Sequence, residues 1–258
     1  MHSIVSENAV FSPFDASPEV YALAEGLTFS LDNEQHPLCL LAANELQAHL
    51  QDQQQWNHNF GLSSDAEGTV IGKMFGVLVV RTEQQELGYI AAFSGKLANG
   101  NYHAKFVPPI FDGMEEGGFL NAGMTKLTQI NGEINTLELL EEEVHEEQIR
   151  LLKMLRKNHS LSLQHKIFEQ YHFLNKDGES KSLVELFENA GYKSPPAGAG
   201  ECAAPKLLQY AFRNKMEPLA LAEFWWGLSP KSAAWKHGNF YAPCKEKCAP
   251  ILTHMLTQ

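Results

Sequence analysis

Two segments in the first hundred residues limit the architecture most. Lys73–Arg81 (KMFGVLVVR) and Leu87–Ser94 (LGYIAAFS) are rich in β-branched and aromatic residues, and the polar stretch Thr82–Glu86 separates them. That spacing predicts a β-hairpin. A strand with one wet face alternates apolar and polar residues, whereas these two are apolar almost throughout, so the sheet they build is expected to be covered on both sides.

The covering layers must come from helices, and the sequence offers several. In His36–Trp56, Leu38, Leu41, Leu46 and Leu50 recur at helical intervals, and Pro37 suits a first turn. Cys39 falls among these apolar residues and is expected to be core. Met124–Lys157 has the longest helical period: Ile130, Leu137, Val144 and Leu151 repeat every seven, and Leu127, Ile134 and Leu155 fill a companion seam. Glu141 and Gln148 interrupt the seam, which favours an antiparallel hairpin with Ser162–Leu174 over a dimer coiled coil through the long helix. Ser182–Asn189 and Glu201–Arg213 read as further helices, Pro218–Trp226 (PLALAEFWW) as a strand, and Cys244–Leu256 as holding a last helix. Lys96–Gly123, Lys193–Gly200 and Gly227–Pro243 read as loops. The expected organisation is an irregular lead-in over residues 1–35, then one α/β (α+β) domain over 36–258, interrupted by a helical insertion over 124–190.

Charge bears on partners. Thirty-one acidic against 20 basic side chains give 258 residues a formal charge of −11. Nucleic-acid affinity rests largely on clustered Lys and Arg, so such a chain is not expected to hold a phosphate backbone over its whole surface. Met1–Asp15 carries no Lys or Arg, and no apolar run is long enough to span a bilayer. A cytoplasmic protein with reduced thiols and no membrane partner is expected.

Under that expectation the cysteines become informative. Cys202, Cys244 and Cys248 lie late in the chain, and Pro205 and Pro250 follow closely behind Cys202 and Cys248. Proline is tolerated in a first helical turn, so each proline is expected to place its cysteine at or just before a helix start. There the dipole and the free N–H groups favour the thiolate that metals bind. If helix, strand and helix make a crossover, both helix starts reach the same sheet edge and three thiolates converge on Zn²⁺. His237, in the loop before Cys244, is the candidate fourth ligand. Glu201, directly before Cys202, is a weak candidate for a catalytic proton shuttle; it is equally a helix-start carboxylate stabilised by the dipole.

The order helix, hairpin, helix with Cys, strand, helix with a Cys pair resembles the zinc-dependent deaminase arrangement, with Cys202 in the first ligand position and Pro243-Cys244 opening the pair. That resemblance implies deaminase-like layers with an inserted helical hairpin, and a Glu two residues after the first ligand that moves protons. Here that position is Ala204, and the pair is C-x3-C instead of C-x2-C.

Longer blocks carry a second resemblance. HPLCLLAANELQAHL (36–50), GKMFGVLVV (72–80), LGYIAAFSGKL (87–97), FVPPIFD (106–112), IFEQYHFLN (167–175), GAGECAAPKLLQYAF (198–212), AEFWWGLSPKS (222–232) and KHGNFYAPCKEKCAPILTHML (236–256) resemble the long N-terminal extension of some RluA-type pseudouridine synthases. The resemblance implies an accessory domain of an enzyme that isomerises uridine in tRNA or rRNA. Its partner would be a C-terminal pseudouridine synthase domain. The catalytic Asp of that family sits in an H-R-L-D-type motif, and no Arg-Leu-Asp tripeptide occurs here. The chain is therefore expected not to be catalytic as an isomerase. RNA contact is expected, if anywhere, through the C-terminal basic and aromatic loop with Lys231, Lys236, Lys245 and Lys247 beside Phe224–Trp226 and Trp235–Tyr241.

Overall fold

The computed structural model describes residues 10–31, 36–64, 67–140, 143–230 and 235–257. In chain order the elements are β1 (Ser12–Pro13), α1 (Pro18–Ala22), α2 (Pro37–Asp52), β2 (Lys73–Arg81) and β3 (Leu87–Phe93). There follow α3 (Phe119–Leu139), a short 3-10 turn at Glu143–His145, α4 (Glu146–Phe168), β4 (His172–Leu174), β5 (Ser180–Ser182) and α5 (Leu183–Asn189). The chain ends with α6 (Ala203–Arg213), β6 (Glu217–Trp226), β7 (Phe240–Tyr241) and α7 (Lys245–Leu256).

The expected hairpin forms, with Leu78 opposite Ile90. It lies at the centre of a five-stranded sheet of order β1-β3-β2-β6-β7, antiparallel at every pairing. Because β3 and β6 both run opposite to β2, they run parallel to each other on either side of it. The α6 segment, the last of the elements between β3 and β6 in the chain, packs across all three strands.

Strand alternation sends the side chains to two cores. Phe75, Val77, Val79, Ala222 and Phe224 point to the α2 side, with Leu38, Cys39 and Leu46 of the helix against them. Leu78, Val80, Ile90 and Leu221 point the other way, to Leu207, Leu208, Ile251 and Met255 of α6 and α7. The sheet is covered on both faces, as its apolar strands require, and Cys39 is fully buried core. Two polar side chains help set the second layer. Gln209 of α6 accepts from the Leu174 N–H at 2.9 Å and donates to the His172 carbonyl at 3.3 Å, and His254 of α7 meets the Phe173 carbonyl at 3.0 Å. Both helices are thereby tied to the small β4–β5 hairpin.

Several sequence expectations change. The lead-in is not wholly irregular: Ser12–Pro13 pairs at the sheet edge with Tyr89 and Gly88, a position where proline's missing N–H costs no ladder bond. The first long helix stops at Asp52, short of Trp56, because Gln53 turns its side-chain oxygen back to the Gln55 and Trp56 N–H groups. The helix expected over Met124–Lys157 is two helices. α3 ends before the Glu141–Glu143 run, where negative charge opposes the C-terminal dipole, and α4 opens with Glu146 and Glu147, where it favours the N-terminal one. The hairpin is therefore α3 against α4, with Ile130, Ile134 and Leu163 buried between the helices. The segment expected to continue as helix to Leu174 instead turns into β4. There Asn175 Oδ1 accepts from the Asp177 and Glu179 N–H groups and Gly178 adopts a left-handed φ of 85°, closing a tight turn into β5. The loop over Gly227–Pro243 contains the edge strand β7.

Among the described residues no helix is long and apolar enough to cross a membrane.

Candidate metal centre

Helices α6 and α7 both begin at the sheet edge where β3 and β6 end. Cys202 is the N-cap of α6 and Cys244 the N-cap of α7, each in an extended backbone conformation and neither making a side-chain cap bond. Pro205 lies in the first turn of α6 as expected. The second helix differs: it starts at Lys245, so Pro250 lies inside it and Cys248 sits one turn in. The Cys248 N–H closes that turn on the Cys244 carbonyl at 3.2 Å, which aligns the two sulfurs of the C-x3-C pair on one side.

The three sulfurs converge. Cys202 Sγ is 3.9 Å from Cys244 Sγ, Cys244 Sγ is 3.3 Å from Cys248 Sγ, and all three lie within 4.8 Å of one another. A tetrahedral ion with Zn–S bonds of about 2.3 Å sets its sulfurs about 3.8 Å apart, so the triangle is close to ligand geometry. Cys244 lies within hydrogen-bond reach of both Cys202 and Cys248, and these interactions push the Cys244 thiol down and the Cys202 and Cys248 thiols up. A divalent cation is the charge that would let all three ionise together.

One side of the triangle opens to a cleft of about 650 Å³ lined by Glu201, Glu223, Trp225, Trp235 and Tyr241. His237 is not part of the sulfur group. Its Nδ1 accepts from the Gly227 N–H at 3.1 Å and its ring packs 4.4 Å from that of Trp226. Glu201 lines the cleft, but its Oε1 accepts from the Tyr171 hydroxyl at 3.1 Å and its backbone carbonyl accepts from the Gly95 N–H at 2.9 Å. Phe224, Trp225 and Trp226 are buried, with Trp225 contributing to the cleft wall; Trp235 is exposed, as are Lys236 and Lys245. Lys231 lies outside the described residues.

Two charged groups escaped the sequence reading. Glu223 of β6 is buried beside Leu221 on the α6 side of the sheet, and its carboxylate accepts from the Ala204 N–H at 3.0 Å. Burial pushes its pKa up to about 7, the Cys244 charge adds to this, and the Ala204 N–H opposes it. PLALAEFWW holds one carboxylate, but the N–H that it meets belongs to Ala204, 19 residues away in the chain. The second group, Lys206 of α6, is also buried, and its ammonium donates to the Phe93 and Gly95 carbonyls at 3.0 and 3.3 Å. Burial lowers its pKa to about 8, against the attraction of Glu201.

Gly76 makes the arrangement fit. It stands opposite Glu223 in the sheet, and a Cβ there would sit 3.0 Å from both Ala203 Cβ and Leu207 Cδ1. Without a side chain at 76, the first turn of α6 rests on β2 and the Ala204 N–H comes within reach of Glu223.

Comparison with known proteins gives no neighbour: no protein-family model, no curated protein and no solved structure matches this chain.

Proposed function

We propose that Cys202, Cys244 and Cys248 bind zinc, and that the chain acts as the zinc-binding accessory domain of an RluA-type pseudouridine synthase. The zinc reading rests on one observation, the meeting of three thiols from two helix starts within 4.8 Å. The family reading rests on the sequence blocks and on the lack of an Arg-Leu-Asp tripeptide. In this role the metal locks α6 to α7 at the sheet edge, and the surface near Trp235, Lys236 and Lys245 meets RNA or the isomerase domain. Elemental analysis of protein purified in metal-free buffer is the test. About one equivalent of zinc is expected, and less than about half an equivalent would sink the claim. For the family reading, the chain alone is expected to form no pseudouridine in tRNA or rRNA transcripts; measurable conversion refutes an accessory role.

A second reading, a deaminase-like hydrolase acting on a nucleobase or nucleoside, draws support from the open side of the sulfur triangle. Three protein ligands facing a cleft leave a coordination position for water, which a closed structural site does not. In this reading Glu201 is a weak shuttle, because its carboxylate is already engaged by Tyr171. Dimerisation through the helical hairpin remains a third proposal. Of its seam of Ile130, Leu137, Val144 and Leu151, Val144 and Leu151 are exposed while Ile130 is consumed within the hairpin, and sedimentation of the isolated chain decides it.

A further inference from the structure

We infer that Glu223, on the strand, is the carboxylate that takes the proton of a water molecule standing in the fourth position of the three-cysteine metal centre. The inference rests on the zinc reading above and assigns the chemistry of its open side.

Three features lead to Glu223. First, it is the one carboxylate among the described residues that is both buried and part of the cleft wall. A carboxylate taken out of water is costly, and the single Ala204 N–H satisfies only part of its acceptor capacity. Second, it shares the cleft with the sulfurs without joining them: Glu223 and the three cysteines line one cavity, yet its carboxylate is not among the ligand atoms that lie within 4.8 Å of one another. Third, the backbone holds it firmly. Its strand neighbours are Gly76 on one side and Tyr241 on the other, and the Ala204 N–H fixes one oxygen. Glu201 also lines the cleft, but it is only half-buried and its carboxylate is already bonded to the Tyr171 hydroxyl.

The surrounding charges suit the role. Cys202 from α6 and Cys244 from α7 are the negative groups that act on Glu223. The nearby cation Lys206 points away to the Phe93 and Gly95 carbonyls, and Lys73 at the start of β2 interacts with Glu201. Tyr241 is its neighbour on β7. No described cation is paired with Glu223, so its carboxylate is left to exchange a proton. A centre of three thiolates is electron-rich and acidifies its water less than a centre of neutral ligands, which makes a nearby base useful. The step is simple: a water O–H bond breaks, the proton joins a Glu223 oxygen, and hydroxide is left facing the cleft.

The competing role is purely structural, with Glu223 capping α6 through Ala204. Glu223→Gln separates the two, because an amide oxygen still accepts that N–H but cannot take the proton. Cobalt(II) is the probe, since thiolate coordination gives it charge-transfer bands and its d–d bands respond to ionisation of a bound water. In the full chain loaded with cobalt, the d–d spectrum is expected to titrate in two coupled steps between about pH 5 and 9. Glu223→Gln is expected to bind cobalt equally and show one step, and Glu201→Gln to keep both. A cobalt-loaded wild-type protein whose d–d spectrum has one step or none overturns the assignment while leaving the metal reading standing. Failure of the wild-type protein to show thiolate–cobalt bands removes both. Should Glu223→Gln not fold, Glu223→Asp replaces it; retraction of the carboxylate by one methylene is expected to separate or abolish a step, and an unchanged two-step titration counts against the proposal.

Discussion

The two faces of the central sheet are built from the same strands and solve different problems. Against α2, the sheet meets apolar and aromatic side chains, with Phe75 ringed by Phe60, Phe93, Phe106 and Phe224. Against α6 and α7, the same strands bury Glu223, and the helices bury Lys206, Gln209 and His254. Burying polar and charged groups lowers stability unless each finds a partner, so the second face is the more expensive one to assemble. A chain that needed only a core would build both faces like the first. Glu223 and Lys206 lie toward the edge where the three thiols meet, whereas Gln209 and His254 anchor the helices to the β4–β5 hairpin. The faces should therefore respond differently to change.

The largest effect is expected on the α2 side. Phe75→Ala removes a fully buried ring from its aromatic cluster and should cost about 3–5 kcal/mol in urea unfolding. Zinc stoichiometry, measured by elemental analysis under native conditions, should not change. Loss of metal in the folded variant would mean that the two faces are one cooperative unit with the site.

On the other face the response should depend on pH. Burial lowers the Lys206 pKa from 10.5 to about 8. Below pH 8 both folded and unfolded chains hold the proton, and the folded state bears the full cost of the buried ammonium. Between pH 8 and 10.5 the unfolded chain binds more protons than the folded one, so this contribution to stability rises with pH. The shift corresponds to about 3 kcal/mol across that window. Lys206→Met abolishes the term, so the stability difference between wild type and variant should move by that amount in favour of wild type from pH 8 to 10.5. Parallel urea curves at the two pH values with an unchanged difference would show that Lys206 is solvated in a way its burial does not suggest.

What could be read in the sequence follows the same division. The α2 face was legible because burial there is a matter of periodicity: strand runs, helix stripe and Cys39 all obey one rule. The thiol cluster was legible because proline at 205 and the C-x3-C spacing report local backbone geometry. Cys244 and not Cys248 proved to be the helix cap, since Pro250 is carried inside α7 and therefore misreported where that helix begins. Glu223 was not found because its meaning depends on a neighbour 19 residues away, Ala204, whose N–H it accepts. Nor does anything local reveal that His237 turns its Nδ1 to Gly227. The division of the long helix was readable in principle. The Glu141–Glu143 run suits a helix start far better than a helix end, but the heptad spacing concealed this.

Gly76 joins the two faces, and a smaller change there sharpens the contrast. Gly76→Ala places a methyl 3.0 Å from Ala203 Cβ and Leu207 Cδ1, so the start of α6 must lift from the sheet. The cost should be about 1–3 kcal/mol, typical of overpacking. Unlike Phe75→Ala, it should also weaken zinc binding in a competition assay with a chromophoric chelator, because Cys202 moves with the helix while Cys244 does not. Equal zinc affinity in wild type and variant would show that the α6 start adjusts without disturbing the sulfurs.

The smallest effect belongs to the α3–α4 hairpin, which lies outside both faces. Its inner residues Ile130 and Ile134 are buried, whereas Leu151 on α4 is 53% exposed. Leu151→Lys removes little buried area in the single chain and should change unfolding stability by no more than about 0.5 kcal/mol. The same substitution places a charge in the seam a coiled-coil dimer would use, so sedimentation of the two proteins side by side has a sharp reading. If wild type is a dimer and the variant a monomer, the exposed leucines serve assembly. If both sediment as monomers up to high concentration, the heptad spacing of Ile130, Leu137, Val144 and Leu151 reflects two separate demands, Ile130 packing inside the hairpin and Leu151 lying on its solvent side, and dimerisation by this route is excluded.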